Sequence, residues 1–359
     1  LDRQLCRPVG STHISLDWME LAISIGPSTT GIAGVCAALS TFLSIVQVRN
    51  HLRLNPNSAL RTHVNRILLM CPIYAWTSFF STTIGQSVFF DTGRDCYEAF
   101  VIYSFFKFFS IVLGGTDAML VILRSKSQQK HIFPFNYLPL WKMGTPFFLK
   151  VEWGVLQYVA VKPLMALFSL LLGAFGVFKA GDIAFDAGYF YVSFIVNCSQ
   201  VWAIYCLIMM YLAFAEDLAP IRPIPKMLCI KALIFFTFWQ SVLIALLVSI
   251  GWLKGSREDV ARFEDLVICM EMVAFAIAHH YAFPPEDFSS EDLPAHITTP
   301  MLRSLLTAAD VTDVIYDLRQ GIGPSQSEKP LDQRDMTAST AAIFIANDPY
   351  RPANLVRTE

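Results

Sequence analysis

The sequence repeatedly alternates runs of about 20 apolar residues, each with one charge or none, with shorter charged segments. As a helix, a run of that length crosses roughly 30 Å of hydrocarbon. Inside lipid a helix is favoured because it satisfies its own backbone polar groups. Composition agrees with this reading. The chain is 54% hydrophobic and 16% charged, with a mean hydropathy of +0.48 over 359 residues. Soluble domains carry about 25% charged residues. These values exclude a soluble enzyme, a secreted globular protein, a nucleic-acid binder and a disordered scaffold. The eight Cys residues form no CxxC pair, so neither a zinc module nor a disulfide framework is signalled. The first residue is Leu1, so a trimmed start without a signal peptide is expected.

Seven spans are predicted, at 23–48, 67–90, 99–123, 155–178, 189–214, 228–253 and 263–283. The fold class expected is an all-α membrane protein built as a seven-helix bundle. Pro72 and Pro163 fall inside spans, where neighbouring helices can satisfy the freed carbonyls. Alternate connections are basic: Arg49, Arg53, Arg61 and Arg66; then Arg124, Lys126, Lys130, Lys142 and Lys150; then Arg222 and Lys226. The positive-inside rule places these loops in the cytoplasm, which puts the N-terminus outside or in a lumen and the C-terminus in the cytoplasm. The other connections are acidic, with Asp91, Asp95 and Glu98, then Asp182 and Asp186, then Glu258, Asp259, Glu264 and Asp265.

The chain is read as an outer segment 1–22, a membrane domain 23–283, a cytoplasmic tail 284–320, and a disordered end 321–359. In the tail, Thr299 and Pro300 suit a helix start. One amphipathic helix is expected over 301–319, with Leu302, Leu305, Ala309 and Tyr316 near one face and Asp310, Asp313 and Asp317 beside it. An acidic face is a poor match for anionic lipid, so docking on the protein's own basic loops is expected.

Charges buried in lipid cost about 2.5–3.5 kcal/mol on insertion scales, so they face the bundle interior. Four stand out: Lys107, Asp117, Lys162 and Glu271. They form either a polar cavity that binds an anionic amphipath or relays protons, or a set of structural ion pairs such as Lys107 with Glu271. His279 and His280 are adjacent and point about 100° apart on a helix, so they do not chelate one ion. No metal, cofactor or nucleic acid is expected, and no nucleophile or P-loop motif marks an enzyme. Gly26, Thr30, Gly34 and Ala38 form a small-residue stripe suited to close helix packing. Cys6 and Cys96 fall on the same predicted side.

Two seven-span classes fit poorly. No Asp/Glu-Arg-Tyr ends the third span, and the seventh holds no Lys for a Schiff base. The ordered motifs point elsewhere. They begin with Asp91-Thr-Gly-Arg94-Asp95-Cys96-Tyr97-Glu98 and Tyr103-Ser-Phe-Phe-Lys107-Phe108. Phe133-Pro-Phe-Asn136, Trp141-Lys-Met-Gly144 and Val155-Leu-Gln-Tyr158 follow, the last leading to Val161-Lys162-Pro163. Leu218-Ala-Pro-Ile-Arg222-Pro223, Cys229-Ile-Lys231-Ala232, Phe238-Trp-Gln240 and Ala276-Ile-Ala-His279-His280-Tyr281 complete the set. This series resembles the organic solute transporter alpha-subunit family, in its transmembrane protein 184 branch. The resemblance runs from about Ile45 to Leu318. It implies a seven-helix membrane protein; in the family's best-understood branch such a protein pairs with a small single-span subunit and moves bile acids and steroid conjugates by facilitated diffusion. Plant members are associated with vacuolar membranes and cell-death control. The function expected is transport of organic, lipid-like or steroid-like solutes. The alternative is a non-transporting regulator or receptor-like adaptor that recruits cytosolic partners. Expected partners are membrane lipid, a sterol-like solute, and a small single-span subunit or a second copy. The expected location is an endomembrane, the vacuole or the plasma membrane. Asp91, Arg94, Asp95 and Glu98 form the outer motif that carries the resemblance, and Arg222, Lys231, His279 and His280 the inner one.

Overall fold

The computed structural model describes residues 26–322, except 56, 86, 133–134, 138, 176–187, 251–256 and 289–300. Cys6, Asp182 and Asp186 lie outside the described residues, as does the expected disordered end beyond 322. The described part is helical, with one isolated bridge between Gln129 and Trp141.

Helix α1 (Gly26–Leu54) shows how the surroundings shape the sequence. Its exposed face carries Ile32, Val35, Leu39, Phe42 and Val46, and its covered face carries Ser40, Ser44, Gln47 and His51 with Ala33 and Ala37. A helix on the surface of a soluble protein does the reverse. Here the apolar stripe faces outward, as lipid requires. Gly34 lets α1 approach α3 closely, since a Cβ there would meet the Phe79 ring at 3.1 Å.

The second predicted span is shifted toward the N-terminus, and two consecutive helices together make one stretch over Ser58–Ile84. Helix α2 (Ser58–Leu68) begins earlier because the Asn57 side chain caps it, accepting from the Leu60 amide at 3.1 Å. After Leu69, α3 (Met70–Ile84) ends at Gly85, whose φ of 77° stops the helix. The third predicted span is corrected in the same way. Helix α4 (Ser87–Val112) starts twelve residues before the expected 99. It breaks at Gly114 and Gly115, with φ of 86° and 89°. Beyond them α5 (Thr116–Ser125) leaves at 72°.

Helix α6 (Thr145–Ala174) starts before the expected 155, with a Pro in its first turn, and carries Pro163 inside. Helix α7 (Gly188–Ala213) runs close to the expected bounds. Helices α8 (Pro223–Ser249) and α9 (Arg257–Ala282) follow. In place of one tail helix there are two, α10 (Met301–Ala309) and α11 (Thr312–Ile322). Asp310 divides them: its carboxylate accepts from the Thr312 amide at 2.9 Å and from the Thr312 hydroxyl at 2.5 Å. Those bonds hold its pKa below the ordinary carboxylate value.

Among the described residues, four helices are long and apolar enough to cross a membrane: Thr29–Leu54, Ser58–Ile84, Thr145–Gly173 and Phe190–Ala213. Counting the bent pair α4–α5 as one span gives five. Helix α4 lies between α2 and α3 on one side and α6 on the other. Helix α7 packs outside α6, α9 closes against α1 and α3, and α8 lies on α9. The centre is aromatic: Phe105, Phe106, Phe108 and Phe109 of α4 are all buried, beside Tyr158, Phe214 and Phe283.

Candidate functional site

Helix α4 carries the site, because its polar residues leave it in different directions. Near its start Arg94 and Asp95 are neighbours, and so point about 100° apart. Arg94 turns toward α3 and α9. It pairs with Asp91 one turn away, donates to Ser78 Oγ at 2.7 Å, and lies 3.7 Å from Asp265. Asp95 and Glu98 turn toward α6. Lys162 Nζ lies 3.1 Å from Asp95 and 3.7 Å from Glu98. Glu98 also accepts from the Tyr158 hydroxyl at 2.9 Å and from Gln200 Nε2 at 2.5 Å. Tyr158 and Lys162 are four residues apart on α6, so both reach the same carboxylate. One acidic turn of α4 therefore ties α6 and α7 together.

Two turns further along α4 the cation is Lys107. It does not meet Glu271. Its ammonium lies 2.5 Å from Asp317 of α11, which also accepts from the Tyr103 hydroxyl at 2.9 Å. The example pair Lys107–Glu271 is not formed: α11 packs on α6 and brings Asp317 to Lys107 instead. Glu271 is half-buried on α9, and its Oε2 has no hydrogen-bond partner among the described residues. Asp117 is exposed in the first turn of α5, not interior. The Gly114–Gly115 bend turns it away from the bundle axis. A carboxylate there meets the positive end of the helix dipole.

Beside Lys107 lies Arg66 of α2, 3% exposed. Its guanidinium forks onto Asp313, with Nη1 2.6 Å from Oδ2 and Nη2 3.1 Å from Oδ1. Nε donates to the Ala308 carbonyl at 3.1 Å, and Nη2 to the Asp310 carbonyl at 2.5 Å. The Phe100 ring stacks under it at 4.7 Å. Asn65 adds a bond to Ser304 at 3.2 Å.

The inner motif residues are spread out. Arg222 Nη2 reaches Asp287 at 2.8 Å from an exposed position. Lys226, completely buried, takes the other Asp287 oxygen at 2.7 Å and donates to the Ile221 carbonyl at 2.5 Å. The Lys231 side chain lies outside the described residues. His279 is buried with Nδ1 3.2 Å from Cys71 Sγ, whereas His280 is exposed against Tyr281. Among the described residues no three His, Cys, Asp or Glu side chains are placed to hold a metal ion.

An open cavity of about 390 Å³ on the α6–α7 flank is lined by Trp141, Lys150, Trp153, Gly154, Gln157 and Trp202. Helices α6 and α7 meet closely beneath it. Gln157 exchanges hydrogen bonds with Ser199, and a Cβ at Gly154 would come within 2.3 Å of Cys206 Sγ.

Several of these groups escaped sequence reasoning. Sequence pattern alone places Arg66 in a loop and does not mark Lys226 or Asp265 as interior. The buried stripe Ser40, Ser44, Gln47 and His51 was also missed, although it recurs at helical spacing.

With this geometry in place, comparison with known proteins decides the family. The sequence profile of the organic solute transporter Ostalpha family matches residues 29–288. The chain belongs to that family. Apolar helices of spanning length and family membership together make it an integral membrane protein. It is 34% identical over 280 residues to Protein LAZ1 of Arabidopsis thaliana, covering 72% of this chain and 58% of the relative. Protein LAZ1 homolog 1 of the same plant is 33% identical over 272 residues, covering 70% of this chain and 56% of the relative. The chain thus spans less than three fifths of the length of these curated relatives. No solved structure gives a significant match. The matched region ends at 288, before the tail carboxylates that meet Arg66 and Lys107.

Proposed function

We propose that this family member is a facilitated transporter of organic, lipid-like or steroid-like solutes. In this reading it has seven spans, a lumenal or external N-terminus and a cytoplasmic C-terminus, and sits in an endomembrane, the vacuole or the plasma membrane. Two features support the larger span count. Helices α8 and α9 are 27 and 26 residues long. Phe235, Phe236, Trp239, Leu243 and Leu246 of α8 are exposed, as lipid-facing residues would be. The observation that carries the function is the charged seam between α4 and α6. It runs from Lys162, Asp95 and Glu98 to Tyr103, Lys107 and Asp317. Each cation there is held by carboxylates that an anionic solute head can replace. No catalytic chemistry is assigned to the seam. A small single-span subunit or a second copy completes the transporter.

The test is uptake of a radiolabelled steroid sulfate into reconstituted vesicles. Lys107→Ala and Lys162→Ala should each lower the flux at least about tenfold, the loss of one charge-assisted contact. Flux equal to the parent in both would end the proposal.

A second reading, a non-transporting membrane regulator that recruits cytosolic partners, is favoured by the closed aromatic centre of α4 and the docked tail helices. It predicts no protein-dependent flux in the same vesicles.

A further inference from the structure

The geometry points to an anion-binding site formed by Arg66, Lys107 and Tyr103, with the tail carboxylates Asp313 and Asp317 occupying it as a built-in competitor for an oxyanion carried on an apolar body. The ligand class is a carboxylate, sulfate or phosphate head joined to a hydrophobic skeleton. The role of this site as a solute contact rests on the transport reading above; its ability to bind an anion does not.

Three observations converge on the site. First, the Arg66 fork, the stacked Phe100 ring and the flanking His63 Nδ1 at 3.3 Å form a half-sheltered recess for two oxygens. Planar bidentate geometry of this kind is what selects carboxylate and phosphate groups. Second, Lys107 and Tyr103 supply an ammonium and a hydroxyl to a second carboxylate one helical turn along α11. Side chains four residues apart have Cβ atoms about 5–6 Å apart, so the two donor sets suit one broad oxyanion or two adjacent carboxylates. Third, the tail supplies nearly everything that Arg66 touches: Asp313, the Asp310 carbonyl and the Ala308 carbonyl. If the tail leaves, a guanidinium that is 3% exposed in the docked state and a neighbouring ammonium lose their counter-charges together. Two neighbouring like charges without counter-ions repel each other, and a ligand anion relieves that repulsion. The apolar neighbours Phe100, Tyr103 and Phe106 favour an amphipath over a bare ion.

The tail is joined to the bundle through residues 289–300, so docking is intramolecular. A tail docked about 90% of the time weakens the apparent affinity of a competing ligand about tenfold.

The experiment uses the full chain in phosphatidylcholine nanodiscs with a tritiated steroid sulfate as probe. Asp313→Asn/Asp317→Asn should bind the probe at least about tenfold more tightly than the parent. Adding Lys107→Gln in that background should remove the gain. A second full-length variant, Asn65→Cys/Ser304→Cys, joins side chains that already meet at 3.2 Å. Oxidation should close the site to the probe and reduction should reopen it. A tail that acts only as a structural latch would lower the melting temperature of the Asn variant and leave probe affinity unchanged, and that result overturns the proposal. Probe binding that ignores the oxidised lock, or a gain that survives Lys107→Gln, also overturns it. Phosphatidic acid added to the nanodiscs separates two ligand sources within the supporting outcome. If it displaces the probe the natural head is a lipid's, and if it does not the head belongs to a free solute. Vesicle flux is read separately. Altered binding with no flux in any variant removes the transport reading and leaves the anion site standing. Flux that is indifferent to the tail removes the competitor alone.

Discussion

Lys162 offers a direct measure of how the α4–α6 seam is held. Its side chain and that of Glu98 are each 9% exposed, while Asp95 is 48% exposed. Lys162→Met removes the cation and leaves Glu98 charged in a dry setting. Breaking a buried pair from one side costs about 3–5 kcal/mol. Asp95 regains water and the Tyr158 and Gln200 donors remain on Glu98, so the lower end, about 3 kcal/mol, is expected. Glu98→Gln keeps an oxygen for those two donors and loses only the charge-assisted part, about 1–2 kcal/mol. In the double variant no uncompensated charge remains at position 98. Its cost should therefore fall short of the sum of the single costs by about 1.5–2 kcal/mol, within the range for residues in contact. The measurement is reversible unfolding of the detergent-solubilised protein along an SDS titration, followed by circular dichroism, on all four corners of the cycle. Single costs that add to within about 0.5 kcal/mol would refute the coupling and with it the placement of Lys162 against Glu98.

Two further perturbations test the backbone that holds the seam. Gly154→Ala should cost about 1–3 kcal/mol by overpacking against Cys206, and Cys206→Ala should restore part of it. A thermal melt identical to the parent would show that α6 and α7 are further apart. Gly115→Ala meets no atom within 4 Å, yet should cost about 1–3 kcal/mol from its φ of 89° and ψ of 179° alone. The melting curve checks this, and a neutral result would place the bend elsewhere.

The existence of the helices was readable in the sequence because lipid reverses the usual pattern. Stripes such as Ile32, Val35, Leu39, Phe42 and Val46 announce themselves by apolarity alone. Where helices start and stop was less readable. Hydropathy begins at the apolar core of a span, whereas the helix begins at its cap, as at Asn57, or at an early Pro, as at Pro223. The Gly114–Gly115 pair was visible as residues, but a positive φ becomes necessary only once the chain must turn through 72°. The partners of the interior charges were beyond reach of any local pattern. Arg66 and Asp313 are 247 residues apart, and nothing near Lys107 reveals that a tail carboxylate, and not Glu271, stands opposite it. Depth can be read from a sequence, but pairing requires the packing of α4 against α6 and the return of α11.

That return also bears on how the protein is made. The counter-charges of Arg66 and Lys107 are synthesised long after the cations themselves: Asp317 follows Tyr103, its other partner, by 214 positions. At about 5–20 residues per second, the ribosome takes on the order of 10–40 s to cover that distance. Throughout that interval the half-inserted chain holds two unanswered cations next to the membrane. Pairing of Arg66 and Lys107 is therefore completed late, when one short acidic helix emerges, and a chain interrupted before that helix leaves both cations without these counter-charges.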